Sequence, residues 1–140
     1  MKLQFSRFAR ALGWCAAVLV ASGATAQTWP DRPIKLVVPF SAGGGADVAA
    51  RTYGEKLSSL LGQPVVIENK PGASGNIGAE LVARGPADGY TLLFGNEFLA
   101  TNPVTFQNIR YDSLKDFVPI AKVASTPVAI AAHPSLPVKT

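Results

Sequence analysis

One cysteine and one histidine are all that 140 residues offer as thiol or imidazole ligands, and neither has company. Cys15 lies in an apolar stretch near the start. With that stretch removed the chain has no thiol, which excludes disulfides, cysteine metal ligands and a cysteine nucleophile. His133 stands between an apolar run and Pro134 with no second histidine, cysteine or carboxylate cluster beside it, so it reads as structural and not as a base or metal ligand. Long apolar runs are scarce too: residues 11–23 make a run of 13, against the ~20 that a membrane-spanning helix needs. Charge of one sign is equally scarce. Of thirteen basic residues, Lys2, Arg7 and Arg10 precede that run, leaving ten against nine acidic, a balance of +1. A nucleic-acid-binding surface has no support in that balance. No internal repeat and no low-complexity linker is present.

What is present begins with an export leader. Lys2, Arg7 and Arg10 supply the basic start, residues 11–23 the apolar middle, and Ala24-Thr25-Ala26 the small-residue cleavage pattern, so residues 1–26 are expected to be removed on the way to the periplasm. Trp14 is too bulky for the position before a lipidated cysteine, and no twin-arginine pair is present. The mature part, residues 27–140, has 114 residues, enough for one α/β core at the usual domain size of roughly 100–150 residues. Its end, Val138-Lys139-Thr140 after the turn-like Ser135-Leu136-Pro137, reads as the approach to a further helix, and the expectation is a truncated chain.

Two glycine-rich loops dominate the mature part. Pro39-Phe40-Ser41-Ala42-Gly43-Gly44-Gly45-Ala46-Asp47 and Asn69-Lys70-Pro71-Gly72-Ala73-Ser74-Gly75-Asn76 each follow a short β-branched apolar run and each open a helical pattern. A glycine turn at a helix start leaves backbone N–H groups unpaired, and the helix dipole adds partial positive charge there. Carboxylate or phosphate is the natural occupant. A bulky residue at Gly44 or Gly75 is expected to abolish binding and leave the fold intact, while changes at Phe40 or Ser74 are expected to shift ligand choice.

Residues 34–38 form an apolar run broken only by Lys35, suited to a strand buried on both faces. Residues 47–61 have helical spacing, with Val48, Ala49, Tyr53, Leu57, Leu60 and Leu61 as apolar positions, Arg51, Glu55 and Lys56 on the wet side, and Gly62 as the C-cap. A strand at 65–67, a helix at 76–84, a turn at Asp88-Gly89 and a strand at 90–94 follow, with further strands expected at 117–123 and 128–132. This alternation implies a doubly wound parallel sheet. Both glycine loops then lie at the carboxyl ends of strands, where such sheets take ligands.

Trp29-Pro30-Asp31-Arg32-Pro33-Ile34, the first glycine loop with Ala49 and Arg51, Glu68-Asn69-Lys70-Pro71-Gly72-Ala73, Gly75-Asn76-Ile77-Gly78, Pro86 onward to Leu93, and His133-Pro134-Ser135-Leu136-Pro137 together resemble the substrate-binding proteins of tripartite tricarboxylate transporters, the Bug family. Asp112, Phe117 and Pro119-Ile120 extend the likeness over nearly all of the mature chain. The resemblance implies a periplasmic-binding-protein-like (type II) α/β fold of two lobes, with residues 27–126 as the first lobe and 127–140 as a strand leading to the hinge, the second lobe being largely missing. It implies an extracytoplasmic, non-enzymatic receptor, monomeric at full length, that captures a small organic carboxylate and delivers it to integral-membrane permease subunits.

The residues it puts at the ligand are Phe40, Ser41, Ala42, Gly43, Gly44, Gly45, Ala46 and Asp47, then Gly72, Ala73, Ser74, Gly75 and Asn76, with Asn96 and Phe98 after the third strand. No cofactor or metal is implied. Two positions depart from the pattern: Ala46 lacks the hydroxyl common before the aspartate, leaving Asp47 as sole capping side chain, and Ser74 stands where glycine is frequent.

The alternative is a dinucleotide-binding oxidoreductase domain. Gly43-Gly44-Gly45 after a strand partly meets the glycine fingerprint, and Glu68 ends the second strand where an acid would hold a ribose. Val48 then occupies the third glycine's place, where close helix-to-strand packing wants a small residue. A hydrolase fits less well, since Gly72-Ala73-Ser74-Gly75-Asn76 lacks the second glycine of a nucleophile elbow.

Overall fold

The central strand, β1 (Ile34–Val38), is apolar on both faces because both faces are covered: Ile34, Leu36, Val37 and Val38 are buried and only Lys35 reaches solvent. The structure, a computed structural model, describes residues 28–127 together with 129, 131, 133 and 135. Met1–Asp31 and Arg32–Thr140 form separate units, and the fold below is that of the second. The expected leader, residues 1–26, lies outside the described residues.

β2 (Val65–Asn69) and β3 (Thr91–Leu93) pair with β1 on either side, both parallel, in the order β2-β1-β3. Ile34 is opposite Val65 and Val38 opposite Asn69, while Leu36 is opposite Leu92. Reaching β2 and then crossing back over β1 to β3 takes two helical crossovers, α1 (Gly45–Leu61) and α2 (Asn76–Ala83). Alternation along β1 assigns them to opposite faces. Leu36 and Val38 pack with Ala50 of α1, joined by Phe40, Val65, Ile67, Leu92 and Phe94, whereas α2 lies over β1 and β3 on the other side. The α/β parallel sheet expected from the sequence is therefore present, and no helix among the described residues is long and apolar enough to cross a membrane.

The buried face of α1 differs from the expected one. Asp47, Ala50 and Gly54 are buried, while Val48 is 57% exposed and Leu60 lies almost free in solvent. Small residues win this face because the helix sits close to the sheet: a Cβ on Gly54 would stand 3.0 Å from Ile67 Cδ1. Val48 thus faces away from the strand, and its bulk says nothing about helix packing. Gly62 ends α1 at φ 68°, the left-handed C-cap conformation, with its N–H donating to Ser58 O at 3.0 Å.

Two further differences concern the later chain. Residues 117–123 form no strand; Val118 and Ile120 are largely exposed, and Pro119 has no N–H to give a ladder. Among the described residues no neighbouring strand offers the hydrogen bonds that would hold them extended in a sheet. The strand expected at 128–132 falls mostly outside the described residues. After β3, where the sequence reading assigns no element, there is a helix, α3 (Phe98–Thr105), with Pro103 inside it.

α2 approaches the sheet edge as closely as α1 does. A Cβ on Gly78 would lie 2.8 Å from Pro39 Cβ and 3.0 Å from Pro39 Cα, the latter a backbone atom that cannot swing aside. In a helix interior Gly→Ala ordinarily stabilises by ~1 kcal/mol, but overpacking here costs ~1–3 kcal/mol. Gly78→Ala is therefore expected to lower the thermal midpoint, measured by circular dichroism; a raised midpoint would mean that the helix does not press on Pro39.

Candidate functional site

The first glycine loop is fixed in place by one buried carboxylate. Asp47, 2% exposed, stands in the first turn of α1, where its Oδ2 accepts the Gly43 N–H at 2.8 Å and Arg51 Nε at 3.0 Å. Its Oδ1 accepts Asn69 Nδ2 at 2.9 Å, and that same amide group donates to Phe40 O at 3.1 Å. Arg51 closes the ring by donating to Asn69 Oδ1 at 3.2 Å. Asn69 is the last residue of β2, so the network ties the first loop, α1 and the second strand together at the carboxyl edge of the sheet. The Arg51 guanidinium, then the Gly43 N–H and the Asn69 carboxamide, hold the Asp47 carboxyl well below the usual carboxylate range. Asp47 is not the N-cap: Gly44 is, with extended backbone, and Asp47 reaches back from three residues later.

This arrangement sorts the loop's amides. The Gly43 N–H is committed to Asp47 and the Gly44 N–H leans on Ser41 O at 3.4 Å. The N–H groups of Gly45, Ala46 and Asp47, the first three of α1, have no acceptor among the described residues, as helix geometry dictates. Beside them opens a pocket of about 270 Å³ lined by Phe40, Ser41, Gly44, Gly45, Ala46 and Asn96. No charged side chain lines it. Asn96 uses its Oδ1 to accept the Phe98 N–H at 3.1 Å.

Phe98 is buried beneath the pocket and meets Phe40 edge to face, ring centroids 5.9 Å apart at 84°. Its other side covers Gly75, whose Cβ position would lie 3.1 Å from two ring carbons. Gly75 has φ 92°, so a bulky residue there meets both a strained backbone and the ring. The expectation of an intact fold is corrected on that account for Gly75, but not for Gly44, where the nearest atom is Ser41 O at 3.4 Å.

The second loop stands apart from this pocket. Gly72, Ala73 and Ser74 are exposed, Gly75 is buried under Phe98, and Asn76 is half-buried with its Oδ1 accepting Asn102 Nδ2 at 2.8 Å and the Tyr111 hydroxyl at 2.7 Å. Of the residues singled out in the sequence, six line the pocket and Phe98 supports it; Ala42 and Gly43 lie on the outer side of the first loop. Asn69, Asn102 and Tyr111 were not singled out for this. Asn69 sat inside a quoted motif, but nothing marked its side chain, and Asn102-Pro103 reads as a turn signal in sequence.

Glu68, the acid that a ribose would need, is instead engaged by Lys35 at 2.9 Å and Lys70 at 2.8 Å. Those two ammonium groups pull its carboxyl below the usual range. No group of three or more His, Cys, Asp and Glu capable of holding a metal occurs among the described residues.

A glycine loop at the carboxyl end of the central parallel strand, beside a pocket with free amide N–H groups and an uncharged lining, and a second glycine loop at the end of the neighbouring strand define a class: an α/β lobe of the binding-protein type. The chain belongs to the tripartite tricarboxylate transporter family of receptors, whose family model matches residues 49–140. Relatives include a UPF0065 protein of Bordetella bronchiseptica, 48% identical over 120 residues, and protein BugT of Bordetella pertussis, 41% identical over 119. These alignments cover 83% and 84% of this chain and 36% of each relative, so the chain spans about a third of their length. Among solved structures, the periplasmic binding protein BugD matches with a TM-score of 0.64 at 43% identity, covering 66% of this chain and 31% of that one. A structure of Rhodopseudomonas palustris MatC with bound malate matches at 0.56 and 36% identity, covering 65% and 31%.

The Asp47 network carries a pH signature. Its carboxyl stays ionised in the folded protein below the ordinary value of 3.8, so the stability it adds is full above about pH 5 and drains away as the pH falls below ~4. The thermal midpoint of Asp47→Asn is expected to lie below that of the parent at pH 7, with the gap narrowing steadily toward pH 3. A gap independent of pH would show that the network does not depend on the charge.

Proposed function

We propose that this chain is the carboxylate-gripping lobe of an extracytoplasmic solute receptor, acting in the periplasm after its leader is cleaved near Ala26. The cargo is a small organic carboxylate, and the receiver is the integral-membrane permease of a tripartite tricarboxylate transporter. The observation that carries the reading is the set of three unpartnered N–H groups at Gly45, Ala46 and Asp47, opening beside a pocket with an uncharged lining. Bonds from amides to a carboxylate are charge-assisted and short, and a desolvated cleft strengthens them, so no arginine is needed at the ligand. Membership of a receptor family and relatives solved with malate and with adipate support the same chemistry.

The first loop grips one carboxylate, with Phe40 as an apolar wall and Asn96 as a further polar contact. The second loop contributes from Gly72, Ala73 and Ser74, and the other lobe of the full-length receptor closes over the rest. A ligand that touches both lobes stabilises the closed form selectively, and the permease reads that form. The protein performs no catalysis.

Gly45→Pro tests the grip directly. Proline at the first helical position deletes one N–H and suits the helix start. Gly44 before it has φ −77° and ψ 167°, the extended backbone a residue preceding proline prefers, and a Cβ on Gly45 meets nothing within 4 Å. The full-length receptor is first screened by thermal shift against malate, adipate, citrate, glutamate, benzoate and NAD⁺, where ligand at 100 times its dissociation constant stabilises by ~2.7 kcal/mol. For the carboxylate that binds, Gly45→Pro is expected to weaken affinity by roughly tenfold to a hundredfold, a charged hydrogen bond being worth ~1.5–3 kcal/mol, with the ligand-free thermal midpoint preserved. Unchanged affinity, or a shift with NAD⁺ alone, would overturn the proposal.

A further inference from the structure

The second loop holds a conformation that its sequence does not favour. Gly72, Ala73, Ser74 and Gly75 have φ of 128°, 48°, 54° and 92°, four positive values in succession, and two of the four residues are not glycine. Alanine and serine rarely adopt φ above zero, because the Cβ crowds the following carbonyl. Two backbone bonds hold the turn from within, Gly75 N–H to Gly72 O at 3.0 Å and Asn76 N–H to Ala73 O. Strained backbone persists only when its surroundings over-determine it.

α3 supplies that restraint. Asn102, 5% exposed, spends both hydrogens of one carboxamide on the loop: Nδ2 donates to Ser74 O at 2.9 Å and to Asn76 Oδ1 at 2.8 Å. The Tyr111 hydroxyl donates to the same Asn76 oxygen at 2.7 Å, and the Tyr111 ring is braced edge to face by Phe117 at 5.7 Å. Phe98 stands four residues before Asn102 on the same helix face, one turn away. One helix therefore grips the second loop through Asn102 and covers Gly75 through Phe98, whose ring also meets Phe40 of the first loop.

We infer that Asn102 is a positioning residue for the second ligand loop and that α3 is the spacer setting the distance between the two loops. The Asn102 carboxamide holds the Ser74 carbonyl in place, while the N–H groups of Gly72, Ala73 and Ser74 have no acceptor among the described residues. Tyr111 is its auxiliary. The ligand-binding part of this inference rests on the receptor reading; the conformational part does not.

Asn102→Asp is the decisive substitution, since it keeps shape and removes both donors, setting a carboxylate against two acceptor oxygens. Ile34→Val, buried at the far end of β1, serves as a variant that costs stability without touching either loop. In the full-length receptor, amide hydrogen exchange at Gly75 and Asn76 is expected to quicken at least tenfold in Asn102→Asp, severalfold in Tyr111→Phe and not in Ile34→Val. Calorimetry with malate and with adipate, well below each variant's midpoint, is expected to show at least a tenfold loss for Asn102→Asp and less than twofold for Ile34→Val. Exchange in Asn102→Asp equal to that in Ile34→Val would overturn the inference whatever binds. Quickened exchange with affinity intact would overturn the role in binding. If the parent binds no carboxylate in either assay the receptor reading fails, while the exchange result still decides whether Asn102 holds the loop.

Discussion

A negative charge buried beside a proposed anion site is the constraint around which this edge of the molecule is arranged. Asp47 could not remain ionised and almost wholly covered without partners, and it has three, each from a different part of the chain: a loop amide, a helix guanidinium four residues on, and a carboxamide at the end of the neighbouring strand. Because those partners lie on the first loop, α1 and β2, satisfying one carboxylate fixes the mutual placement of all three. Losing the Asn69 carboxamide leaves the buried Oδ1 without its bond, a larger loss than the bond itself contributes. The parallel pairing of β1 with β2 puts Asn69 opposite Val38, which is what brings the carboxamide within reach.

Close approach between helices and sheet is the second recurring theme, and it explains where glycine and alanine fall. Gly54 faces Ile67 and Val65, Gly78 faces Pro39, and Ala50 is fully buried against Leu36 and Val38. Each small residue lets a backbone come nearer than a larger side chain would permit. The pull of α1 toward the sheet also carries Asp47 into the interior, so the packing and the polar network reinforce one another.

Much of this was legible in the residues. Apolar runs broken only by Lys35 announced a strand covered on both sides, glycine-to-helix transitions announced the loops, and Gly62 announced a left-handed cap. Side-chain patterning failed where tertiary contacts overrode it. Val48 and Leu60 look like core residues on a helical wheel, yet the sheet accepts only small groups and turns them outward. α3 is hidden in the sequence because Asn102-Pro103 is a turn-type dipeptide, whereas in the fold Phe98 and Asn102 of that helix contact the two distant loops. The run at 117–123 has strand character in isolation, but a strand needs a neighbour, which the described residues do not provide.

The lining of the pocket, Phe40, Ser41, Gly44, Gly45, Ala46 and Asn96, holds not one formal charge. The receptor role proposed for this chain would require cargo to be surrendered as well as seized. In a grip of neutral dipoles there is no ion pair to pull apart in a dry cleft, and little for dissolved salt to screen. On the proposed reading, retention would depend on how long the amides stay aligned, and release would follow from a small rotation of the loop, with no proton or counter-ion needed to discharge the site.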